Sequence, residues 1–251
     1  MKSMTQPEYI LPDWPAPANV HAYTTTRVGG VSLPPWDRFN LADHVGDDPE
    51  HVASNRARLR ETLSLPGEPV WLRQVHGRNV RQAVDGPGEA DASYADRPGV
   101  VCAVLTADCL PVLLCDREGG AVAAVHAGWR GLVAGVVEAA VACFAAGPDS
   151  LLVWLGPAIG PAAFEVGPEV RNRFLQADEG ASGAFVEGEG DRWYADLYVL
   201  ARRRLARAGV QAVYGGGHCT FTEQERFYSF RRDGETGRMA SLIWIDETGS
   251  N

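Results

Sequence analysis

The chain has 251 residues, 45% of them hydrophobic and 22% charged, the balance of an ordinary soluble globular protein with room for one large domain. Its formal net charge of −9 argues against a nucleic-acid partner, because phosphate backbones favour basic faces. Lys2 is the only lysine, which excludes Schiff-base chemistry, pyridoxal anchoring and a Walker lysine, so any phosphate must be held by arginine forks or backbone N–H groups.

Residues 1–19, with Pro7, Pro12, Pro15 and Pro17 and little periodicity, read as an arm ahead of a single domain over 20–251. Val20–Thr26 predicts a strand, followed by the Gly29-Gly30 turn and a polar loop through Asn40, His44 and Gly46. Asp47-Asp48-Pro49-Glu50 predicts the start of a helix over about 51–63, with the acidic first turn that the helix dipole favours. Strands are expected at 69–75 and 79–84 on either side of His76-Gly77, and Glu89-Ala90-Asp91-Ala92 leads into a surface segment. Val100–Leu105 is a continuous apolar run that reads as a central strand, with two more at Val112–Cys115 and Ala121–Val125.

Trp129–Ala146 has helical spacing and stops at Gly147-Pro148, and Leu151–Leu155 is another buried strand. Helices follow at about 167–176 and 196–208, around a weak hairpin at 184–194. Val213–Tyr214 and Phe227–Phe230 read as short strands, and Arg238–Ile245 closes the fold. Adjacent strand pairs with short turns, mixed with helices, predict an α/β class: a single layered domain with a mixed β-sheet flanked by helices. No internal repeat or linker divides it. No uncharged run approaches the length needed to cross a bilayer, and no signal pattern opens the chain, so a cytoplasmic location is expected. Nothing in the pattern sets an oligomeric state.

The cysteines (102, 109, 115, 143 and 219) are odd in number and lack CxxC spacing, as expected of reduced, mostly buried thiols. Cys109 stands apart. With His76 and His126 it lies at the end of an apolar run, beside Gly or Pro, where strands would deliver all three to one edge. Each alone is more often a core or turn residue. Together, two imidazoles and a thiolate are three ligands for a transition metal and leave a fourth tetrahedral position open, as catalytic zinc sites do.

Gly128-Trp129-Arg130-Gly131 opens the next helix, so an anion would be favoured beside His126. Asp108 and Glu165 are the acid/base candidates, with Asp91 a weaker third. Capping or hydrogen bonding to the ligands is an equal reading for each. Arg27, Asn40, Arg56, Arg130, Arg231 and Arg232 are the candidates for binding substrate or phosphate.

Seven ordered motifs carry a family resemblance: TTTRVGGVS at Thr24–Ser32, FNLADHVGDD at Phe39–Asp48, QVHG at Gln74–Gly77, LTADCLPVLL at Leu105–Leu114, HAGWRGL at His126–Leu132, LGPAIGPAAFEVG at Leu155–Gly167 and YSFRRDGETGR at Tyr228–Arg238. The chain resembles the YfiH-type bacterial family, called polyphenol oxidase or laccase-like and also purine nucleoside phosphorylase/adenosine deaminase and peptidoglycan editing factor. Phenylalanine stands for tyrosine in two motifs, away from the ligands. The resemblance implies a cysteine-hydrolase-like α/β fold and zinc held by His76, Cys109 and His126.

It also implies several chemistries. The leading expectation is a zinc enzyme that phosphorolyses adenosine, inosine or methylthioadenosine and deaminates adenosine, with a nucleoside and phosphate as its small-molecule partners. The usual zinc deaminase signature is absent, so deamination would need another proton shuttle. A Cys–His hydrolase editing peptidoglycan precursors, with Cys109 as nucleophile and His126 as base, uses the same residues. Copper-dependent phenol oxidation ranks below both, since Met1, Met4 and Met239 lie outside the ligand islands and there are only six histidines. A zinc-stabilised binding module is the non-enzymatic alternative.

Overall fold

The computed structural model describes residues 6–246. The first five residues of the expected arm and the last five of the expected domain lie outside them. The fold is mixed α/β, and where the sequence suggests one sheet its strands form two large packed sheets and a small third.

The larger sheet has six strands in the order β12-β8-β6-β7-β4-β3. These are β3 (Val80–Gln82), β4 (Ala92–Ala95), β6 (Leu110–Asp116), β7 (Val122–Ala127), β8 (Leu151–Leu155) and β12 (Ala212–Gly215). It is mixed: β12 pairs with β8 and β3 with β4 in parallel, and the central pairings are antiparallel. The second sheet is antiparallel, in the order β1-β2-β13-β5, from β1 (Tyr9–Ile10), β2 (Val20–Thr25), β13 (Met239–Ile245) and β5 (Cys102–Thr106). A small third sheet joins β10 (Phe185–Glu187), β11 (Trp193–Ala195) and β9 (Glu165–Val166).

Side-chain alternation divides each strand between two cores. Cys102 and Val104 of β5 meet Val122 and Ala124 of β7 between the two large sheets, together with Ile243 and Ile245. Ala103 and Leu105 point the other way, onto Phe39, Leu41 and Leu59 of the layer that contains α1 (Pro49–Leu63). On the far side of the six-stranded sheet, Val112, Leu114 and Val125 pack against α2 (Trp129–Ala134), α3 (Val136–Val141) and α5 (Leu197–Arg207). Strands buried on both faces read as unbroken apolar runs, which is why a second sheet leaves no mark in the sequence.

Helix α1 begins as expected. The Asp48 carboxylate accepts from the Glu50 N–H at 2.8 Å, Pro49 takes the first turn, and Ser64 closes the helix in a left-handed conformation. α4 (Pro168–Ala177) and α5 also match their expected ranges.

Five readings change. The helix expected over 129–146 is two helices, because Gly135 at φ +92° ends α2 and starts α3. Phe227–Phe230 is not a strand: Ser229 caps the short helix α6 (Phe230–Asp233) by accepting from the Arg232 N–H at 3.2 Å. The segment after Glu89 is interior, since Ala92–Ala95 is buried throughout and Asp91 is fully buried. The expected strand at 69–75 is reduced to isolated bridges at Val70 and Arg73. Lastly, β5 is an edge strand of its sheet, and the six-stranded sheet packed across it keeps it buried.

Candidate metal centre

Three connections deliver the candidate ligands. His126 lies near the end of β7, opposite Pro111 of β6. Cys109 immediately precedes β6, after a turn in which Asp108 adopts φ +90°. The Asp108 carboxylate accounts for that turn, accepting from the Thr220 hydroxyl at 2.6 Å and the Arg231 N–H at 2.7 Å. His76 sits on an exposed bend at φ +60°, in no strand. The preceding Gln74 pins the bend to β5, with its amide donating to the Leu105 carbonyl at 2.8 Å and accepting from the Leu105 N–H at 2.7 Å.

The ligand atoms of His76, Cys109 and His126 all lie within 4.8 Å of one another. The two imidazoles meet edge to face with centroids 4.8 Å apart, and the Cys109 Sγ is 3.9 Å from the His76 Nε2. Zinc–sulfur and zinc–nitrogen bonds at a tetrahedral angle put sulfur and nitrogen about 3.6 Å apart, so the observed spacing fits such an ion. His126 is buried, Cys109 half-buried and His76 exposed, so the cluster opens to solvent on the His76 side.

Asp91 organises the trio. Its buried carboxylate accepts from the N–H groups of Val75 (3.3 Å), His76 (2.8 Å) and Gly77 (2.6 Å), and from the His126 Nδ1 (2.8 Å). Its own carbonyl accepts from the His126 N–H at 2.7 Å. A carboxylate only accepts, so the His126 Nδ1 carries a proton and Nε2 is the nitrogen that would face a metal. Burial alone would raise the Asp91 pKa, but the His126 hydrogen bond and the two shortest N–H bonds hold it below the ordinary value.

The thiol is poised in the same way. Burial pushes Cys109 up, but the charge and hydrogen bond of His126, joined by those of His76, bring it down to about 6. His126 responds in kind: burial lowers it, and Cys109 and Asp91 together lift it to about 9. Burial raises Cys102 and Cys115 to about 12. Brief treatment of metal-free protein with iodoacetamide at neutral pH should therefore label Cys109 well before Cys102 or Cys115. Peptide mass spectrometry checks this, and equal labelling of Cys115 would contradict it.

The other candidates scatter. Asn40 is fully buried, and its amide bonds to the Ala42 carbonyl, the Asp47 carboxylate and the N–H groups of Ala42 and Arg238, so it holds loops and has no group left for substrate. Arg27 ties Asp37 to the Gln224 carbonyl and covers Tyr228. Arg232 donates to the carbonyls of Thr220, Phe221 and Phe227 and pairs with Asp233. Both arginines line a cavity of about 440 Å³ that includes none of the trio.

Arg56 lies over Trp71, donates to the Leu41 carbonyl and approaches Asp43. It lines a cavity of about 380 Å³ with His44, Trp71, Gln74 and Leu105, next to the His76 bend. Arg130 is exposed over Trp129, and α2, at six residues, is too short to add the strong dipole expected there. Arg231 reaches the carbonyls of Ala163 and Glu165. The half-buried Glu165 keeps its carboxylate without a hydrogen bond or ion pair among the described residues.

One residue was absent from the sequence-based candidates. Arg238 directly precedes β13, where Met239 pairs with Thr106, so it stands level with the turn that carries Asp108 and Cys109. The motif RDGETGR contains it, but its neighbours follow from strand register and not from local spacing.

A mixed α/β fold in which one strand end and two bends gather two histidines and a cysteine at a solvent-open cluster defines a protein with a candidate three-ligand metal site. The family is shown by comparison: residues 21–246 match the model described as multi-copper polyphenol oxidoreductase laccase, and the chain belongs to that family. It is 58% identical over 239 residues to the purine nucleoside phosphorylase YfiH of Escherichia coli, covering 94% of this chain and 98% of the relative. It is 50% identical over 241 residues to a purine nucleoside phosphorylase of Haemophilus influenzae, covering 94% and 99%. Among solved structures, Neisseria meningitidis protein NMB0706 superposes with a TM-score of 0.92 at 51% identity, covering 95% of this chain and 99% of that one. YlmD from Geobacillus stearothermophilus follows with 0.88 at 30% identity and 98% of each chain. No helix among the described residues is long and apolar enough to cross a membrane.

Proposed function

We propose that this protein is a zinc-dependent purine nucleoside enzyme that phosphorolyses adenosine, inosine or methylthioadenosine and hydrolytically deaminates adenosine. One observation carries the reading: a His76–Cys109–His126 cluster, open on one side, in a chain 58% identical to a relative named for phosphorolysis of purine nucleosides. His76, Cys109 and His126 would hold the zinc, which when bound supplies Lewis acidity at the fourth, open position.

The chain's own residues do the rest. Asp91 orients the His126 ring through its Nδ1 and holds the backbone of the His76 bend, so both histidines are presented from fixed positions through turnover. Asp108, with both carboxylate oxygens engaged, positions the segment around Arg231 over the Cys109 turn and leaves proton transfer to another group. Glu165, with its free carboxylate, is the better proton shuttle. The cavity between Arg56, Trp71 and Gln74 would take the nucleoside, with aromatic and guanidinium faces for a purine.

Protein purified without added metal is expected to contain about one zinc per chain. Removing the metal with a chelator, or substituting Cys109→Ala, should abolish release of base from adenosine and inosine. The Cys109→Ala chain should keep its circular dichroism. Zinc-loaded protein that neither phosphorolyses nor deaminates any purine nucleoside would overturn the proposal.

The paired Cys109 and His126 favour a second reading, a thiol hydrolase acting on peptidoglycan precursors. Its activity would survive chelation, which separates the two. Copper draws less support. Met239, the one methionine among the described residues, is buried, and its sulfur accepts from the Tyr228 N–H at 3.1 Å.

A further inference from the structure

The segment that carries the Cys109 sulfur is short and fixed at both ends. β5 ends at Thr106, β6 begins at Leu110, and pairing locks each strand, Thr106 to Met239 and Leu110 to Ala127. Any change in the connection must be absorbed by Ala107, Asp108 or Cys109 itself. Asp108 holds φ +90°, a left-handed value that a residue with a β-carbon disfavours. A group outside the turn must keep it there.

Thr220 is placed to do so. Asp108 is held from three other segments. Its carbonyl accepts from the Ile159 N–H (3.0 Å), and its carboxylate oxygens accept one each from the Thr220 hydroxyl (2.6 Å) and the Arg231 N–H (2.7 Å). Thr220 alone among these donors acts with its side chain, and it is fully buried. Its own backbone is anchored: the N–H donates to the Ala158 carbonyl at 3.0 Å, and the carbonyl accepts from the Arg232 Nη1 at 2.8 Å. The Tyr198 hydroxyl ties the two supporting segments together, accepting from the Ala158 N–H at 2.9 Å and donating to the His218 carbonyl at 2.6 Å.

A second, independent observation shows how little freedom the sulfur has. A Cβ at Gly128 would lie 2.8 Å from the Cys109 Sγ, and the His76 Nε2 is 3.9 Å away from that sulfur. Backbone confines it on one side and a fellow ligand on the other, so a turn that relaxes takes it out of the cluster. We infer that Thr220 is a positioning residue for the metal centre, which holds the Asp108 turn and thereby aims the Cys109 sulfur at the ion. It acts through Asp108, 112 residues away in the chain, and not by contact with the ion. The inference rests on the metal-centre reading and adds to it a group that no ligand spacing reveals.

The test uses cobalt(II) as a spectroscopic stand-in for zinc. Metal-free wild-type, T220V, T220S, D108G and D108G/T220V proteins are titrated with cobalt(II), and with zinc by competition. Wild type should develop a thiolate-to-cobalt charge-transfer band, which reports the sulfur directly. T220V keeps the branched shape and removes the hydroxyl; it should lose most of that band and bind zinc about tenfold more weakly or worse. T220S should restore both. Glycine adopts φ +90° freely, so T220V should add little in the D108G background. T220A, which sets no methyl against the carboxylate, carries the test if T220V misfolds. A lower Tm with wild-type zinc affinity and cobalt spectrum would overturn the inference, as would losses in T220V and D108G that simply add. Wild-type protein without the charge-transfer band would overturn the metal-centre reading, and the inference with it.

Discussion

Replacing Asp91 by alanine is expected to cost the protein both stability and metal. The carboxylate is fully buried and takes hydrogen bonds from three consecutive N–H groups and from the His126 Nδ1. Its removal leaves four donors without their acceptor and a buried imidazole without its counter-charge. Breaking such a pair typically costs about 3–5 kcal/mol. In a protein of this size that lowers Tm by roughly 10 °C.

Loss of a partner behind a metal-binding histidine ordinarily weakens affinity about 10- to 100-fold. Asp91→Ala should exceed that range, because the same carboxylate also shapes the bend carrying His76. Asp91→Asn keeps one acceptor oxygen and should fall between alanine and wild type. Thermal unfolding and competitive zinc titration measure both effects. An Asp91→Ala protein with unchanged Tm and zinc affinity would contradict the role assigned to this residue.

Gly128→Ala should empty the metal centre while sparing the fold. The Gly128 backbone, at φ −64° and ψ 162°, suits any residue, so the backbone imposes no penalty. The obstacle is space. A Cβ there would lie 2.8 Å from the Cys109 sulfur and 3.1 Å from the His76 Cδ2. Cysteine has one rotatable bond, and turning it away from the added methyl takes the thiolate out of the cluster.

Zinc content should therefore drop below a tenth of the wild-type value, with a stability change of about 1–3 kcal/mol, the usual range for overpacking. Gly147→Ala is the control, since a Cβ there meets nothing within 4 Å. Full zinc occupancy in Gly128→Ala would show that the cluster tolerates rearrangement that the geometry does not suggest.

The sequence exposed the trio because each ligand ends an apolar run beside glycine or proline, a local signal that the three segments share. It exposed most strands for a similar reason: Leu110–Asp116 and Leu151–Leu155 are apolar throughout. What it hid is long-range. Asp91 looks like a surface acid among Glu89 and Ala92, and only the pairing of β4 with β7 carries it under His126. Arg238 sits in a turn-like run, and the register of β13 on β5 brings it level with Cys109. Conversely, Asn40, Arg27 and Arg232 look available because a sequence does not say which side chains will be used up by backbone carbonyls. Gly135 falls inside the apolar helical spacing of 129–146, and only its left-handed conformation divides that stretch into two helices.

The Asp91 carboxylate has a thermodynamic consequence for whatever binds between the histidines. Ordering the backbone of one residue costs about 1–2 kcal/mol in conformational entropy. Residues 75–77 form an exposed bend that would otherwise be ordered only as an ion arrived, and that cost would be subtracted from the affinity. Because their N–H groups are already tied to Asp91, the ordering is complete when the chain folds. An incoming ion meets the His126 ring in place and has the Cys109 and His76 side chains left to orient, the latter on a backbone already fixed. Its binding is then offset mainly by the loss of its own hydration and by release of the proton that His126 holds at neutral pH.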